Sequence, residues 1–302
     1  MSTTSRMPSL MQWRPSWIEA LMMTSVIIAI SSSGPIIALS TAPVLAMAVW
    51  RCVFASGLTL PLALRGAGFR GLTRQQVSGC ALAGLALAIH FCLWIPSVRL
   101  TSVADSVALV ATQPIWMLLM AKRLGQQIPV RVWWGIAVAF SGVLVVVGVD
   151  FGVSNRALLG DVMSVASAIA AGAYLMIGGH VRTSLNNSVY TVIVYAVSAV
   201  VIAVVAIVTH TQLWGFSRRD WLLIGALTLG AQLLGHSLMS RLMDTTPAAI
   251  VGIAVLFEPP GAAIFAGFLL HQHIPPLALI GMMIILFGLV IVVSNTNETE
   301  SV

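Results

Sequence analysis

Charge is what this sequence lacks most. Of its 302 residues, 8% are Asp, Glu, Lys or Arg, while 59% are apolar. A domain in water carries roughly a quarter of its residues as charges, so this chain has too little polar surface to cover a globule. It needs an apolar solvent, and the bilayer supplies one. Cysteine is scarce as well. Cys52, Cys80 and Cys92 all lie within apolar runs, which excludes a secreted disulfide framework and a CxxC pair and leaves small buried hydrophobes. No GxxxxGK(S/T) loop, HExxH or GxSxG motif occurs, so the sequence indicates neither a nucleotide-driven pump nor a hydrolase. His271 and His273 share a loop, but two ligands do not make a catalytic zinc site. No cofactor is expected. The net charge of +6 comes from arginines in short loops between apolar runs. That placement reads as a topology signal, with no support for nucleic acid as a partner.

What is present in abundance is apolar length. About 20 apolar residues in a helix cross the hydrocarbon core. Ten such runs fall at 17–39, 42–64, 77–97, 101–121, 130–149, 157–178, 187–209, 221–241, 246–270 and 275–294. The expected fold is all-α and integral to the membrane. The first run starts near Trp17, lacks a small-residue cleavage site and is followed by many more, so it reads as a helix rather than a removed signal peptide. A segment of residues 1–16 precedes it and a polar tail, 295–302, follows the last run. With the N-terminus in the cytoplasm, the loops on that side hold ten Lys and Arg against four outside. The positive-inside rule then puts both termini in the cytoplasm of a multi-pass bacterial-type inner-membrane protein. Trp13, Trp17, Trp133, Trp134, Trp214 and Trp221 sit near span ends, as interfacial anchors do. Asp105 and Asp161 lie near the outer ends of their spans, where solvent-facing structural roles are expected.

The two halves resemble each other. At an offset of 145, Thr101 falls on Thr246, Ala104 on Ala249, Val110 on Val255 and Pro114 on Pro259. One inserted residue later, Pro129 meets Pro275, Gly135 meets Gly281 and Gly142 meets Gly288. This predicts a five-helix repeat at 17–149, a linker at 150–156 and a second repeat at 157–294. Five is odd, so the copies are expected to be inverted about an axis in the membrane plane, a design suited to alternating access. Gly135 with Gly142, and Gly281 with Gly288, lie seven residues apart on one helix face, where small residues let helices approach closely in lipid.

The run Ala111-Thr112-Gln113-Pro114 followed by Gly135 and Gly142, and the run Phe257-Glu258-Pro259-Pro260 followed by Gly281 and Gly288, resemble the drug/metabolite transporter superfamily, specifically its EamA-type members. Arg51 matches a frequent arginine of that family. The resemblance covers nearly the whole chain and implies an exporter of amino acids or similar metabolites, with the ten-helix bacterial exporters of aromatic amino acids as the nearest model. The sequence departs where members often carry Gly-Glu at the ends of the fourth and ninth spans; here stand Gly125-Gln126 and Leu270-His271.

Polar groups in mid-membrane cost free energy and persist where they meet a cavity or a partner. Glu258, beside Pro259 and Pro260, is the leading candidate to bind a substrate amino group or a proton; interhelical hydrogen bonding is the alternative. Gln113, before Pro114, is its counterpart. His90 lies four residues before Trp94, so both share a helix face, and His236 is its possible partner in the repeat. Trp50, Trp94, Trp116 and Tyr174 fall inside spans, where they either line an aromatic-friendly cavity or pack against lipid and helices. Arg51 either pairs with Glu258 or reaches toward a helix end. Ser31-Ser32-Ser33-Gly34-Pro35 predicts a bend. Ser33, Gly34, Pro35, Pro114, Pro259 and Pro260 are the candidate gating positions.

The expected function is secondary transport of a small molecule by a chain that works within the lipid and is compatible with a monomer. The alternatives are a proton-coupled drug or cation exporter, a channel, and a membrane enzyme.

Overall fold

The computed structural model describes residues 16–65, 68–125, 127–150, 154–182, 184–235, 238, 242 and 255–296, and every regular element among them is helical. Helix α1 (Trp17–Ser31) opens on a capping box in which Glu19 takes the Ser16 N–H at 2.8 Å, satisfying donors that a helix start leaves open. Helix α2 (Ser33–Leu39) continues it after one interrupted residue. Then follow α3 (Val44–Ala63), α4 (Arg74–Ser97), α5 (Val103–Val110), α6 (Gln113–Arg123), α7 (Val130–Asp150), α8 (Asn155–Arg182) and α9 (Asn187–Val208). Helix α10 (Arg218–Leu227) runs into a π-helical stretch, Thr228–Gly235, and α11 (Glu258–Leu270) and α12 (Pro276–Thr296) complete the described chain. Taking α1 with α2 and α5 with α6, seven helices among the described residues are long and apolar enough to cross a membrane. Large side chains such as Leu58, Leu82, Leu144, Phe268 and Phe287 point outward. A helix apolar on every side suits a lipid surrounding, where the outer face needs no polar cover.

Helices α7 and α12 show how the two halves meet. A Cβ on Gly135 would lie 2.8 Å from the Gly288 carbonyl oxygen, and one on Gly142 would lie 2.6 Å from that of Gly281. The two backbones therefore touch, as the glycine spacing predicts. The early glycine of each helix faces the late glycine of the other, so these repeat-related helices run antiparallel. The remaining packing follows the same exchange. Helix α4 lies on α8 as the π stretch lies on α1; α5 and α6 lie on α8 as α11 lies on α1 and α2; and α3 pairs with its own counterpart, α9.

Two main apolar cores result, beside two small clusters. One joins α3, α4, α9 and α10 with the π stretch; the other joins α5, α6, α7 and α12. Between α4, α5 and α8 the hydroxyls of Ser97, Ser106 and Ser164 form a buried triangle, with Ser164 Oγ 2.9 Å from Ser97 Oγ. Such bonds hold helices together where lipid offers no hydrophobic drive.

The connectors at one end are tied to one another. The Asp220 carboxylate accepts from Ser40 Oγ at 2.7 Å, from Thr41 N at 2.7 Å and from Thr41 Oγ1 at 2.9 Å. Arg99 donates to the Ser40 carbonyl at 2.7 Å, Arg156 to the Arg99 carbonyl at 2.9 Å, and Gln272 accepts from Val103 N at 3.1 Å. Asp105 and Asp161, expected to face solvent, are buried instead. Asp105 closes the N-terminal turn of α5 with Ser102, and Asp161 follows Gly160, which is pressed against Leu100 and Thr101.

Candidate substrate site

Three spans are interrupted within the bundle. The chain turns at Ala111–Thr112 between α5 and α6, and at Leu256–Phe257 before α11. These pairs are 145 residues apart. Gln113 and Glu258 are the first residues of α6 and α11, and each is followed by proline at the second position, Pro114 and Pro259, with Pro260 next. Proline there leaves a carbonyl of the preceding turn without its helical donor. Thr112 Oγ1 donates to the neighbouring Leu109 carbonyl at 2.6 Å. The third interruption is at Ser32 alone, whose backbone stays helical (φ −74°, ψ −14°) and keeps its bonds to the Ile28 carbonyl and from the Ile36 N–H, so the expected bend before Pro35 amounts to one residue out of pattern. Ser32 and Ser33 donate to the Ala29 and Ile30 carbonyls at 2.8 and 2.7 Å.

Helix α11 packs on α1, α2 and α5, and its first turn meets α1 beside the Ser32 interruption. Ser31 Oγ donates to the main-chain carbonyl of Glu258 at 3.3 Å, and a Cβ on Gly261 would collide with the Ser31 side chain. On the other flank a Cβ on Gly34 would sit 2.8 Å from Val103 Cγ1.

His90 and Trp94 stack with ring centres 5.7 Å apart and planes 12° from parallel. His90 Nδ1 is 2.8 Å from Ser167 Oγ, which ties the ring to α8. The Trp94 N–H is buried and lacks an acceptor among the described residues. Trp116 leans edge-on against Phe140 and donates to Thr112 Oγ1 at 3.3 Å; its Cβ lies 3.3 Å from where a Cβ on Gly172 would be, so α6 is close on α8. Tyr174, on α8, packs against the first core. Trp50 lies elsewhere. Its N–H donates to the Leu213 carbonyl at 2.8 Å, and its ring packs against Phe54 of α3, Trp214 in the connector before α10, and Trp221 of α10. His236 lies outside the described residues.

Arg51 is buried, and neither of its expected arrangements is found. Nε donates to Gln232 Oε1 at 2.6 Å, and the guanidinium carbon lies 4.2 Å above the centre of the Phe91 ring. The sequence reading did not single out Gln232, although an amide between Ala231 and Leu233 in an apolar run is a signal of its own. Asp220 also escaped notice; its sign is Ser217 three residues earlier, an N-cap pair.

The comparisons with known proteins decide the family. The model of the EamA-like transporter family matches residues 15–148 and again 158–294. The chain belongs to the EamA-like transporter family. Each match takes in one of the paired interruptions, Gln113-Pro114 and Glu258-Pro259. Two curated relatives, the pseudopaline exporters CntI of Pseudomonas aeruginosa strains PAO1 and UCBPP-PA14, are each 25% identical over 197 residues, 65% of this chain and 67% of theirs. A protein of known crystal structure superposes with a TM-score of 0.63 at 14% identity, covering 91% of this chain and 96% of its own. At that identity the likeness speaks for the fold. An EamA-type chain is a membrane transporter of small molecules.

Proposed function

We propose that this chain exports amino acids, aromatic or otherwise apolar, across a bacterial inner membrane by alternating access around a central site. Ten crossings as two inverted five-helix repeats, with both termini in the cytoplasm, fit this reading. The observation that carries it is the pair of matched interruptions, with Gln113 and Glu258 opening the half-helices that follow. Transporter sites form where spanning helices break at membrane depth, because irregular backbone is tolerated where it lines a cavity. Glu258 is suited to a substrate ammonium or a proton, Gln113 to a neutral polar group, and the His90–Trp94 stack to an aromatic ring. Trp116 and Tyr174 are the further candidates along α6 and α8. Ser33, Gly34, Pro35, Pro114, Pro259 and Pro260 would flex as the halves exchange roles. The curated relatives are exporters by name, which supports the direction.

Counterflow in proteoliposomes tests this. The pure protein is loaded with unlabelled aromatic amino acids and uptake of a labelled one is followed. Saturable counterflow that falls at least tenfold in Glu258→Gln and in His90→Ala, about 1.4 kcal/mol or more, is the expected result. No counterflow with any amino acid would reject the proposed cargo.

A further inference from the structure

Arg51 is the eighth residue of α3, about 10 Å along the helix at ~1.5 Å per residue. It is 3% exposed, and Gln232 is 1% exposed. Their bond at 2.6 Å uses the amide oxygen of Gln232. Arg51 Nη1 is then a buried N–H donor with no acceptor among the described residues, and Gln232 Nε2 makes no hydrogen bond of normal geometry, facing only the Cys52 thiol and the Tyr195 hydroxyl. Four elements close around them. Phe91 comes from α4 and Tyr195 from α9, Cys52 adjoins on α3, and Gln232 comes from the π stretch. Among the described residues no carboxylate pairs with the guanidinium.

A buried cation without a counter-charge is strongly unfavourable in a chain surrounded by lipid, and buried donors without acceptors are uncommon. Both deficits ask for the same partner. A carboxylate has two oxygens and can accept from a guanidinium N–H and an amide N–H together. The element presenting Gln232 is also unusual. π-Helical turns are rare, arise where a helix carries an extra residue per turn, and gather at functional sites.

We infer that Arg51 and Gln232 hold the carboxylate of the transported solute, at a position flanked by Phe91 and Tyr195 that is packed shut in this structure and parts to admit it. This rests on the exporter reading for its view that the carboxylate belongs to the cargo. It makes the cargo a carboxylic acid and assigns the acid group to α3 and the π stretch rather than to the interruptions around Glu258.

The test uses the full-length protein in lipid nanodiscs. Its melting temperature is titrated with sodium benzoate against benzamide and with L-phenylalanine against L-phenylalaninamide, at constant ionic strength. Wild type is compared with Arg51→Gln, Arg51→Lys and Gln232→Leu. In wild type at least one acid should stabilise while its amide does not. Apparent affinity for that acid should fall about tenfold in Gln232→Leu and further in Arg51→Gln, as expected for loss of one and then more charge-assisted bonds. Arg51→Lys should lie between. Equal response to acid and amide, no response to either acid, or acid selectivity that survives Arg51→Gln would overturn the assignment. If Arg51→Gln does not fold, Gln232→Leu keeps the guanidinium and decides on the same readout. Counterflow separates the two readings. Acid-selective binding lost with Arg51, but without counterflow, keeps the carboxylate site and removes the amino-acid exporter. Counterflow of L-phenylalaninamide equal to that of L-phenylalanine removes the site and keeps the carrier.

Discussion

Gly142 and Gly281 face each other across α7 and α12 so closely that a Cβ on either would meet the other's carbonyl oxygen, at 2.6 Å from one side and 3.0 Å from the other. A side chain at either position must push the helices apart. Gly142→Val is expected to destabilise by about 1–3 kcal/mol, the usual range for an overpacked contact. Gly148, with nothing within 4 Å of its Cβ position, is the control, and Gly148→Ala should leave the melting temperature nearly unchanged. Equal melting of the Gly142→Val and Gly148→Ala proteins would mean that the two backbones are not in contact.

Asp220 clamps the turn between α2 and α3 through Ser40 and Thr41. Asp220→Asn keeps the shape but turns one acceptor oxygen into a donor facing other donors. The expected cost is about 1–3 kcal/mol, the penalty for donors left without partners, read as a lower melting temperature. In transport the loosened end should open more readily and raise the exchange rate. A rate and a melting temperature both equal to wild type would show that the clamp is idle.

His271 caps the end of α11 in the left-handed region at φ 52°. A residue with a Cβ is strained there and glycine is not. His271→Gly should therefore stabilise the protein by about 0.5–1 kcal/mol, part of the strain relief being offset by the freer unfolded chain. Thermal unfolding monitored by Trp fluorescence reads the change, and a lower melting temperature in the variant would contradict it.

Trp50 and Trp94 are both mid-span tryptophans in the sequence, and the structure separates them. Trp50→Phe loses the bond to the Leu213 carbonyl, so stability should fall by about 0.5–1.5 kcal/mol, a typical net value for one hydrogen bond, while half-saturation in counterflow stays the same. Trp94→Ala removes the ring stacked on His90 and should weaken half-saturation several-fold. The reverse pattern would move the aromatic end of the site to the Trp50 cluster.

Some of this could be read from residue order because the physics involved is local. A proline removes a hydrogen bond four residues back wherever it stands, so Pro35, Pro114 and Pro259 announce their interruptions. Glycines seven apart share a helix face, so the α7–α12 contact could be anticipated. Other features were hidden because they depend on residues far apart in sequence. Arg51 and Gln232 are 181 residues apart, and no spacing rule joins them. The helix position of Trp50 suggests a cavity residue because it says nothing of Leu213 and Trp214 in the connector, or of Trp221 on α10, which close over it. For Asp105 and Asp161, proximity to a helix end suggests access to water, whereas neighbouring helices cover those ends.

The sequence by itself determined the solvent, since so few charges leave lipid as the only surrounding that suits this surface. It also determined the repeat and the places where the helices are interrupted, because these follow from composition and from proline and glycine chemistry. Only the tertiary structure decided which polar groups meet. A buried donor finds its partner through packing between distant helices, and the π-helical turn that carries Gln232 to Arg51 arises from a hydrogen-bond pattern that residue type alone does not specify.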